Sequence, residues 1–283
     1  MSVRIENAKP LIGGIVHVAK EHLCDEATVA AVREALEERG VLIFPQIHLT
    51  DAEQLAFTDA LGPRVNFTRS VPGSGAADDP DVYKITLDKK INTQPEYVLG
   101  TWFWHIDGVT IDQPLPKATL LSARKLSPTG GQTEFCNTYA SYEALPEAEK
   151  SAIDKLMVIH RMEASMKPVF REVTDEQLAR WRSMATWMHH PLVWKHQSGR
   201  KSLVLGTHAD EIEGMSIAEG RSILSRLTEW VSQPQFTYRH EWLPGDLVIW
   251  DNCGLMHRVV PYDEDSGRSM HRTTIGGEER IAA

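Results

Sequence analysis

The stretch "PGDLVIWDNCGLMHRVVPY", residues 244–262, gives the clearest indication of how this chain folds. Pro244, Gly245 and Asp246 have the composition of a turn, and a run of apolar and β-branched residues follows them. A short polar turn with a glycine then precedes a second β-rich run, which we expect to start at His257. The pattern predicts two strands joined by a reversal of the chain, as in an antiparallel sheet.

Comparable β-rich runs dominate the chain from about residue 82 onward, and glycine, proline, aspartate and serine separate them. Many short strands with turn residues between them are typical of an antiparallel sandwich or barrel, so we expect a mainly β fold with helical insertions. The runs expected as strands are "VYKITL", "GTWFWHID", "ATLLSARKL", "TEFCN", "LVWKH", "SLVLG", "FTYRHEW", "DLVIWD", "HRVVPY" and "RSMHRTTIG".

Before this β-rich part, the chain alternates between helical and strand patterns. Residues 25–40 have apolar side chains at helical spacing and end at Gly40, a residue type that often terminates helices. Residues 49–62 repeat the pattern with Thr50 or Asp51 as the N-cap, and the run "VLIFP" between them is typical of a buried strand. We expect a helix-strand-helix section without obvious chemistry.

Two further helical segments interrupt the β-rich part. Residues 139–190 form the larger one, which we expect to lie over the mouth of the barrel as a lid, and residues 216–233 form the smaller one. The composition of residues 70–81 predicts a loop. Because no internal repeat or low-complexity linker divides the chain, we expect residues 1–283 to form a single domain.

Composition and charge limit the classes of function. The chain has 283 residues, of which 42% are hydrophobic, a formal net charge of -9 and three cysteines. No basic block suited to neutralising phosphates is present, so we expect no nucleic acid partner. No apolar run approaches the length needed to cross a bilayer, and scattered cysteines suit a reducing compartment. We therefore expect a cytoplasmic protein without a membrane partner, and we expect it to be a homo-oligomer.

The first candidates for chemistry lie in "GTWFWHIDGV", residues 100–109. On a strand, His105 and Asp107 leave the same face, whereas Trp104 and Ile106 point into the opposite layer. One imidazole and one carboxylate on a common face are two of the three ligands of a facial triad, which leaves positions open on a non-haem Fe(II). Because such a pair is common by chance, a metal site requires a third ligand.

Twelve histidines supply candidates for this third ligand. His189 and His190 are adjacent, so their side chains diverge, and we expect a packing or surface role for them. His208 lies near the end of a predicted strand and is a further candidate. His257 is the third, because a barrel can bring its strand end beside the strand of His105.

Two arginines near the C-terminus indicate anionic partners. In "GRSMHRTTIG", alternate residues fall on one face of a predicted strand, and among them are Arg268 and Arg272, with Met270 between and Thr274 beyond. A buried guanidinium without an anion is costly, so both arginines need anionic partners in the barrel interior. Four residues of strand span about 13 Å at roughly 3.3 Å per residue, so we expect them to bind two different anionic groups.

Several of these motifs occur together in one enzyme family. Their combination resembles the Fe(II)- and 2-oxoglutarate-dependent dioxygenases of the taurine dioxygenase and 2,4-dichlorophenoxyacetate dioxygenase family. The matching features are His105-x-Asp107, "GGQT" (130–133), "WDN" (250–252), His257 and arginines 11 and 15 residues beyond that histidine. The resemblance covers most of the chain, and "SGRKSLVLGTHADEIEG" looks closer to the phenoxyacetate enzyme. It implies a double-stranded β-helix, or jelly roll, with helical insertions.

The resemblance also implies roles for single residues. The iron ligands of the family match His105, Asp107 and His257. The residues that hold 2-oxoglutarate match Thr133 and Arg268, and the substrate-binding arginine matches Arg272. The taurine enzyme has a substrate-contacting asparagine where this chain has Thr101, which makes taurine a less suitable substrate. Ile106 lies between two ligands and is apolar, so we expect Thr101 and Ile106 to shape the substrate site.

The family implies Fe(II), 2-oxoglutarate and dioxygen as the reacting partners of a small anionic substrate. We expect hydroxylation of an organic anion with an apolar body, such as an aryloxyalkanoate, with cleavage of the product where the hydroxylated carbon bears a leaving group. An alkyl sulfate or sulfonate dioxygenase is the alternative within the family. The alternative from another class is a non-catalytic, cupin-like binding module, although no residue of the motif is missing.

Overall fold

The computed structural model describes residues 3–65, 81–112, 114–184 and 187–282, so the loop predicted for residues 70–81 lies outside the described residues except at its last position. The α-helices in these ranges are α1 Glu26–Arg39, α2 Asp51–Leu61, α3 Glu96–Leu99, α4 Thr138–Glu143, α5 Glu147–Ile153, α6 Met162–Met166, α7 Asp175–Met184 and α8 Ile217–Val231. The strands are β1 Arg4–Asn7, β2 Gly14–His17, β3 Val41–Phe44, β4 Tyr83–Thr86, β5 Ala118–Lys125, β6 Thr133–Asn137, β7 Met157–His160, β8 Met188–Pro191, β9 Val193–Lys195, β10 Lys201–Leu203, β11 Ala209–Ile212, β12 Thr237–His240, β13 Leu247–Asp251, β14 Leu255–Val259 and β15 Ser269–Ile275.

The larger layer is a sheet whose described strands follow the order β1-β2-β3-β13-β5-β15-β4. Its pairs are antiparallel except for β2 and β3, which are parallel. β13 lies between β3 and β5, and every residue of it is buried. Ile249 packs into the core on one face and Trp250 into the core on the other. Burial on both faces explains the uninterrupted apolar run in this strand.

A smaller antiparallel sheet of β12, β6 and β14 faces the first one. Phe135 of β6 packs on Trp250 of β13 with ring centroids 5.5 Å apart, and both side chains are at most 2% exposed. Two facing sheets with a shared core, antiparallel except for the β2–β3 pair, form the double-sheet architecture of a jelly roll. The predicted fold class, a mainly β double-stranded β-helix with helical insertions, is therefore confirmed. Two small sheets, β11-β7-β8 and β10-β9, lie outside this jelly roll.

The reversal predicted within residues 244–262 is wrong in one respect, because β13 and β14 do not pair with each other. The turn between them carries the chain from the large sheet to the small one. Asn252 in this turn donates from Nδ2 to Thr119 Oγ1 of β5 at 3.0 Å, which ties the crossing to the large sheet. β14 begins at Leu255, so His257 lies in the middle of its strand and not at its start.

The two N-terminal helices cover the outer face of the large sheet. Gly40 follows α1 as its C-cap and has a φ of +73°, which favours glycine. Thr50 precedes α2 as its N-cap and forms a capping box with Glu53. Phe57 of α2 is completely buried against the sheet, and burial of such a side chain stabilises the fold by about 2–3 kcal/mol. No helix among the described residues is long and apolar enough to span a membrane.

The segment 139–190 is not helical throughout. It contains most of α4 and all of α5, α6 and α7, but also β7 and most of β8. These two strands pair with each other in the β11-β7-β8 sheet. A short apolar run such as "MVIH" fits either a strand or a buried helix segment, and only its pairing partners decide between them. α6 follows β7 directly and contributes side chains to the cavity described below.

Candidate active site

The candidate ligands His105 and Asp107 do not lie on a strand, so this part of the prediction is wrong. Gly100–Trp102 form a 3₁₀ turn, and the chain then makes a single antiparallel bridge between His105 and His257. The backbone N–H group of each histidine donates to the carbonyl oxygen of the other, at 3.1 and 3.0 Å. This bridge places the two imidazole rings side by side, with centroids 4.1 Å apart.

The three predicted ligands converge at this bridge. One ligand atom from each of His105, Asp107 and His257 lies within 4.8 Å of the others. His105 Nε2 is 3.8 Å from Asp107 Oδ1, and His257 Nε2 is 4.0 Å from Asp107 Oδ2. These distances are too long for direct hydrogen bonds. They suit side chains that surround a shared metal ion, and the donor set of two imidazoles and one carboxylate is that of a facial triad.

Hydrogen bonds fix the orientation of two ligands. His105 Nδ1 lies 2.9 Å from the carbonyl oxygen of Phe103, so it donates there and leaves Nε2 as the metal-facing atom. Thr119 donates from Oγ1 to Asp107 Oδ2 at 3.2 Å, and Thr119 in turn accepts from Asn252. The "WDN" motif therefore supports the carboxylate through Thr119.

Burial and charge keep these side chains in their metal-binding forms. Burial raises the pKa of the Asp107 carboxyl, but the neighbouring Arg272, His257 and His105 outweigh this and hold that pKa well below its usual range. Burial lowers the pKa of both His105 and His257. A carboxylate with two neutral imidazoles is the state that binds a divalent cation. The residues present therefore fit a non-haem metal ion.

A cavity of about 210 Å³ opens beside Asp107. Arg272 forms its cationic wall, with Nη1 3.5 Å from Asp107 Oδ2 and the guanidinium carbon 5.8 Å from the centre of the Tyr83 ring. Apolar and aromatic side chains form much of the remaining wall, among them Ile85, Tyr97, Val98, Ile111, Met162 and Met166. The shape and chemistry suit a small molecule with one anionic end and an apolar body.

Arg268 lines a second cavity, of about 200 Å³, together with Gly131 and Trp242. Arg268 is 2% exposed, donates from Nη2 to the Gly131 carbonyl oxygen at 3.1 Å and packs 4.8 Å from the Tyr262 ring centre. The Thr133 hydroxyl oxygen accepts from Trp242 Nε1 at 3.0 Å, which leaves its proton for another acceptor. Trp242 therefore links Thr133 to the cavity of Arg268, whereas Arg272 lines the first cavity.

Thr101 and Ile106 both line the first cavity. The Thr101 hydroxyl donates to the Val98 carbonyl oxygen at 2.7 Å, so it is engaged within its own turn. Ile106 is 5% exposed and joins the core below the cavity. The two residues therefore contribute mainly shape and apolar surface to this cavity.

The other histidines considered as ligands lie outside the cluster. His189 pairs with Glu213, and His190 lies 3.0 Å from the Val109 carbonyl oxygen. His208 lines the first cavity beside the ligands, but its Nε2 accepts from a backbone N–H group. The cavity residues that sequence reasoning missed include Tyr83, Tyr97, Met162, Met166 and Thr207, and no local pattern marks them because they come from several distant parts of the chain.

Most of the chain matches one protein family. The model for "Taurine catabolism dioxygenase TauD, TfdA family" matches residues 5–274. The chain belongs to the TauD/TfdA family.

Relatives of this TauD/TfdA member include enzymes that are named for different substrates. The alpha-ketoglutarate-dependent 2,4-dichlorophenoxyacetate dioxygenase of Burkholderia sp. (strain RASC) is 33% identical over 100% of this chain and 97% of that protein. An alkylsulfatase of Acinetobacter baylyi is 34% identical over 95% of this chain and 82% of that protein. A crystal structure of AAD-2 in complex with Mn(II) and N-oxalylglycine has a TM-score of 0.81 and 32% identity, and covers 99% of this chain and 100% of that chain.

These similarities confirm the predicted family and enzyme class. The TauD/TfdA member is an alpha-ketoglutarate-dependent dioxygenase, which acts with a metal ion and 2-oxoglutarate on a small molecule. Its jelly-roll architecture agrees with that of its structural neighbours.

Proposed function

We propose that this dioxygenase uses Fe(II), 2-oxoglutarate and dioxygen to hydroxylate a small organic anion with an apolar body, of the aryloxyalkanoate type. The observation that carries the proposal is the position of Arg272, whose guanidinium lies beside Asp107 in an otherwise largely apolar cavity. The similarity to the 2,4-dichlorophenoxyacetate dioxygenase supports this substrate class.

His105, Asp107 and His257 would hold the iron. Their donor set suits Fe(II), and the Phe103 carbonyl oxygen already fixes the orientation of His105. Iron, 2-oxoglutarate and dioxygen together supply the oxidising chemistry, in which 2-oxoglutarate becomes succinate and carbon dioxide and one oxygen atom enters a substrate C–H bond. The protein's task is to orient the two anions and to exclude water.

Arg268 and Thr133 would hold the distal carboxylate of 2-oxoglutarate. The buried Arg268 guanidinium contacts a carbonyl oxygen and an aromatic ring, and burial lowers its pKa, so a carboxylate would stabilise its charged form. The Thr133 hydroxyl has its proton to donate, since its oxygen accepts from Trp242. Charge-assisted hydrogen bonds of this kind are both strong and directional.

Arg272 would bind the carboxylate of the substrate, while the apolar wall surrounds the rest of the molecule. Thr101 and Ile106 would set the shape of that wall near the ligands. Where the hydroxylated carbon bears an ether oxygen, the product is a hemiacetal, which breaks into an alcohol or phenol and a carbonyl compound. Orientation of the reacting C–H bond toward the metal is the contribution expected from Arg272.

An alkyl sulfate or sulfonate dioxygenase is the second candidate. The alkylsulfatase relative and the arginine, which binds sulfate and carboxylate alike, both favour it. Release of inorganic sulfate or sulfite would distinguish it from an aryloxyalkanoate enzyme.

The test is a panel of aryloxyalkanoates, alkyl sulfates, sulfonates and N-substituted amino acids, measured by succinate formation with Fe(II), 2-oxoglutarate and oxygen. We expect the aryloxyalkanoates to give the highest kcat/KM, and the Asp107→Ala variant to form no succinate with any compound. Preference for alkyl sulfates would favour the second candidate. Metal binding without succinate formation on any compound would support a cupin-like binding module instead.

We also propose that residues 1–283 act as one catalytic domain in a cytoplasmic homo-oligomer without nucleic acid or membrane partners. The net charge of -9 supports the absence of a polyanionic partner. Light scattering coupled to size exclusion would test the oligomer, and a monomer at all concentrations would contradict it.

A further inference from the structure

The backbone between the two ligands His105 and Asp107 is hydrogen-bonded on both edges. His257 occupies one edge through the bridge described above. On the other edge, the N–H group of Thr207 donates to the Trp104 carbonyl oxygen at 2.8 Å, and the N–H group of Ile106 donates to His208 Nε2 at 3.2 Å. An imidazole nitrogen therefore takes the place that a carbonyl oxygen has in an ordinary β ladder.

Gly206 allows this close approach. Its φ is +136°, and a Cβ atom there would lie 3.0 Å from the Trp104 carbonyl oxygen and 3.1 Å from His105 Cα. The same Cβ would lie 2.8 Å from His208 Nε2. The segment of Gly206, Thr207 and His208 is thus packed directly on the ligand backbone, and a side chain at Gly206 would separate the two.

The donor and acceptor roles of His208 follow from its partners. Its Nε2 accepts from Ile106, so its proton resides on Nδ1, which lies 2.7 Å from His160 Nδ1. Both imidazoles are buried, and burial lowers the pKa of His208 to about 3 and the pKa of His160 well below its usual range. Both rings are therefore neutral, and the pair holds His208 in the tautomer that accepts from the backbone.

We propose that His208 is a positioning residue that holds the backbone between the metal ligands His105 and Asp107. It lines the substrate cavity, but its Nε2 is occupied as an acceptor and has no proton to offer a substrate anion. The inference rests on the proposed function only through the assignment of these two ligands. Its function is to fix the backbone path that sets the angle between the imidazole of His105 and the carboxylate of Asp107.

His208 has two contacts, with the Ile106 N–H group and with His160, and two polar substitutions of His208 can distinguish them. A glutamine amide reaches the position of Nε2 and can accept from Ile106, whereas an asparagine amide reaches only the position of Nδ1 and retains the contact with His160. Mn(II) affinity of the full chain is measured by titration calorimetry without substrate. We expect His208→Asn to weaken Mn(II) binding at least about tenfold, as for the loss of other outer-shell partners, and His208→Gln to bind nearly as tightly as the wild type.

His196→Asn is the matched control for loss of a buried histidine. His196 is 6% exposed and hydrogen-bonds to Ser202, away from the ligands, so its loss should leave Mn(II) affinity unchanged. Equal Mn(II) affinity of His208→Asn and His208→Gln would overturn the proposal. It would also be overturned if His208→Asn kept wild-type Mn(II) affinity and only raised KM for the substrate, because this is the result expected for a substrate contact.

The same measurements distinguish failure of this inference from failure of the proposed function. A wild-type protein that binds Mn(II) but forms no succinate would contradict the proposed function, while the difference between the asparagine and glutamine variants would still support positioning by His208. Succinate formation by the wild type together with equal Mn(II) affinity of both variants would contradict only the inference.

Discussion

Arg268 and Arg272 lie four residues apart at β15, and their partners differ in charge. Arg272 has a carboxylate beside it, since its Nη1 is 3.5 Å from Asp107. Arg268 is more deeply buried, yet it contacts the Gly131 carbonyl oxygen and the Tyr262 ring, and no carboxylate of the described residues pairs with it. A buried cation without an anion is unfavourable, so we expect an anion from outside the chain to complete the environment of Arg268.

The difference indicates which anion each arginine receives. We expect the distal carboxylate of 2-oxoglutarate at Arg268, because this side chain has no internal anion. Arg272 lies beside Asp107 of the candidate metal site, so we expect binding of a cation by Asp107 to weaken this ion pair and to leave Arg272 for the substrate. We therefore expect the two arginines to give two separable anion sites, one just before β15 and one within it.

The largest effect is expected for Asp107→Ala, which removes a metal ligand and the carboxylate partner of Arg272 together. Mn(II) binding in calorimetry and succinate formation should both fall below detection. Retention of metal-dependent succinate formation would contradict the assignment of Asp107, and the circular dichroism spectrum serves as the folding control.

Arg268→Ala should raise KM for 2-oxoglutarate by about 10–100-fold, the loss expected for charge-assisted hydrogen bonds of about 1.5–3 kcal/mol. KM for the organic substrate should stay within about threefold. Arg268→Lys is the control that keeps the charge but removes the planar geometry, and we expect it to recover only part of the loss. A rise in substrate KM alone would reverse the assignment.

Arg272→Ala should show the opposite selectivity, with substrate KM raised about tenfold and KM for 2-oxoglutarate little changed. The effect is smaller than at Arg268, because the Arg272 side chain is more exposed and its hydrogen bonds compete with water. Steady-state kinetics with each compound varied in turn measures both constants. If both KM values rose equally, the two arginines would not form separate sites.

The size of the apolar cavity can be changed without touching either arginine. A Cβ atom at Gly100 would lie 2.8 Å from Met166 Cε, so Gly100→Ala should narrow the cavity and Met166→Ala should widen it. We expect the kcat/KM ratio of large to small aryl substrates to fall about fivefold in the first variant and to rise in the second. Unchanged ratios in both would exclude this wall from substrate selection.

The smallest expected effect is the dependence of the two KM values on salt concentration. Arg268 is 2% exposed, whereas the Arg272 side chain is 15% exposed, so ions screen the substrate site more than the 2-oxoglutarate site. Raising ionic strength from about 0.05 to about 0.5 M should increase substrate KM about two- to threefold and change KM for 2-oxoglutarate less. A larger salt effect on 2-oxoglutarate would contradict the difference in burial.

Part of this organisation could be predicted from the sequence. Alternation through β15 and the residue before it predicts that Arg268 and Arg272 share a face, because strand periodicity is local. On the opposite face, His271 and Thr273 contact Asp51 and Gln54 of α2. The spacing of the ligands and arginines also indicated the family, since these residues lie at fixed offsets in the chain.

Other features depend on tertiary contacts between distant parts of the chain, which no local sequence pattern indicates. The run around His105 has β-type composition, yet one bridge to His257 and a preceding 3₁₀ turn replace the predicted strand. Asn252 donates a hydrogen bond to Thr119 of β5 in the turn where the chain passes from the large sheet to β14 of the small sheet. Met166 reaches the cavity only because α6 packs against the turn at Gly100, so no local pattern could have predicted it.

Equilibrium binding of N-oxalylglycine tests the separation of the two anion sites most directly. The wild type, Arg268→Ala and Arg272→Ala are each loaded with Mn(II) and titrated with this 2-oxoglutarate analogue in a calorimeter, with no substrate and no turnover. We predict that Arg268→Ala weakens binding at least about tenfold while Arg272→Ala remains within about threefold of the wild type. Equal weakening in both variants, or weakening in Arg272→Ala alone, would contradict the account.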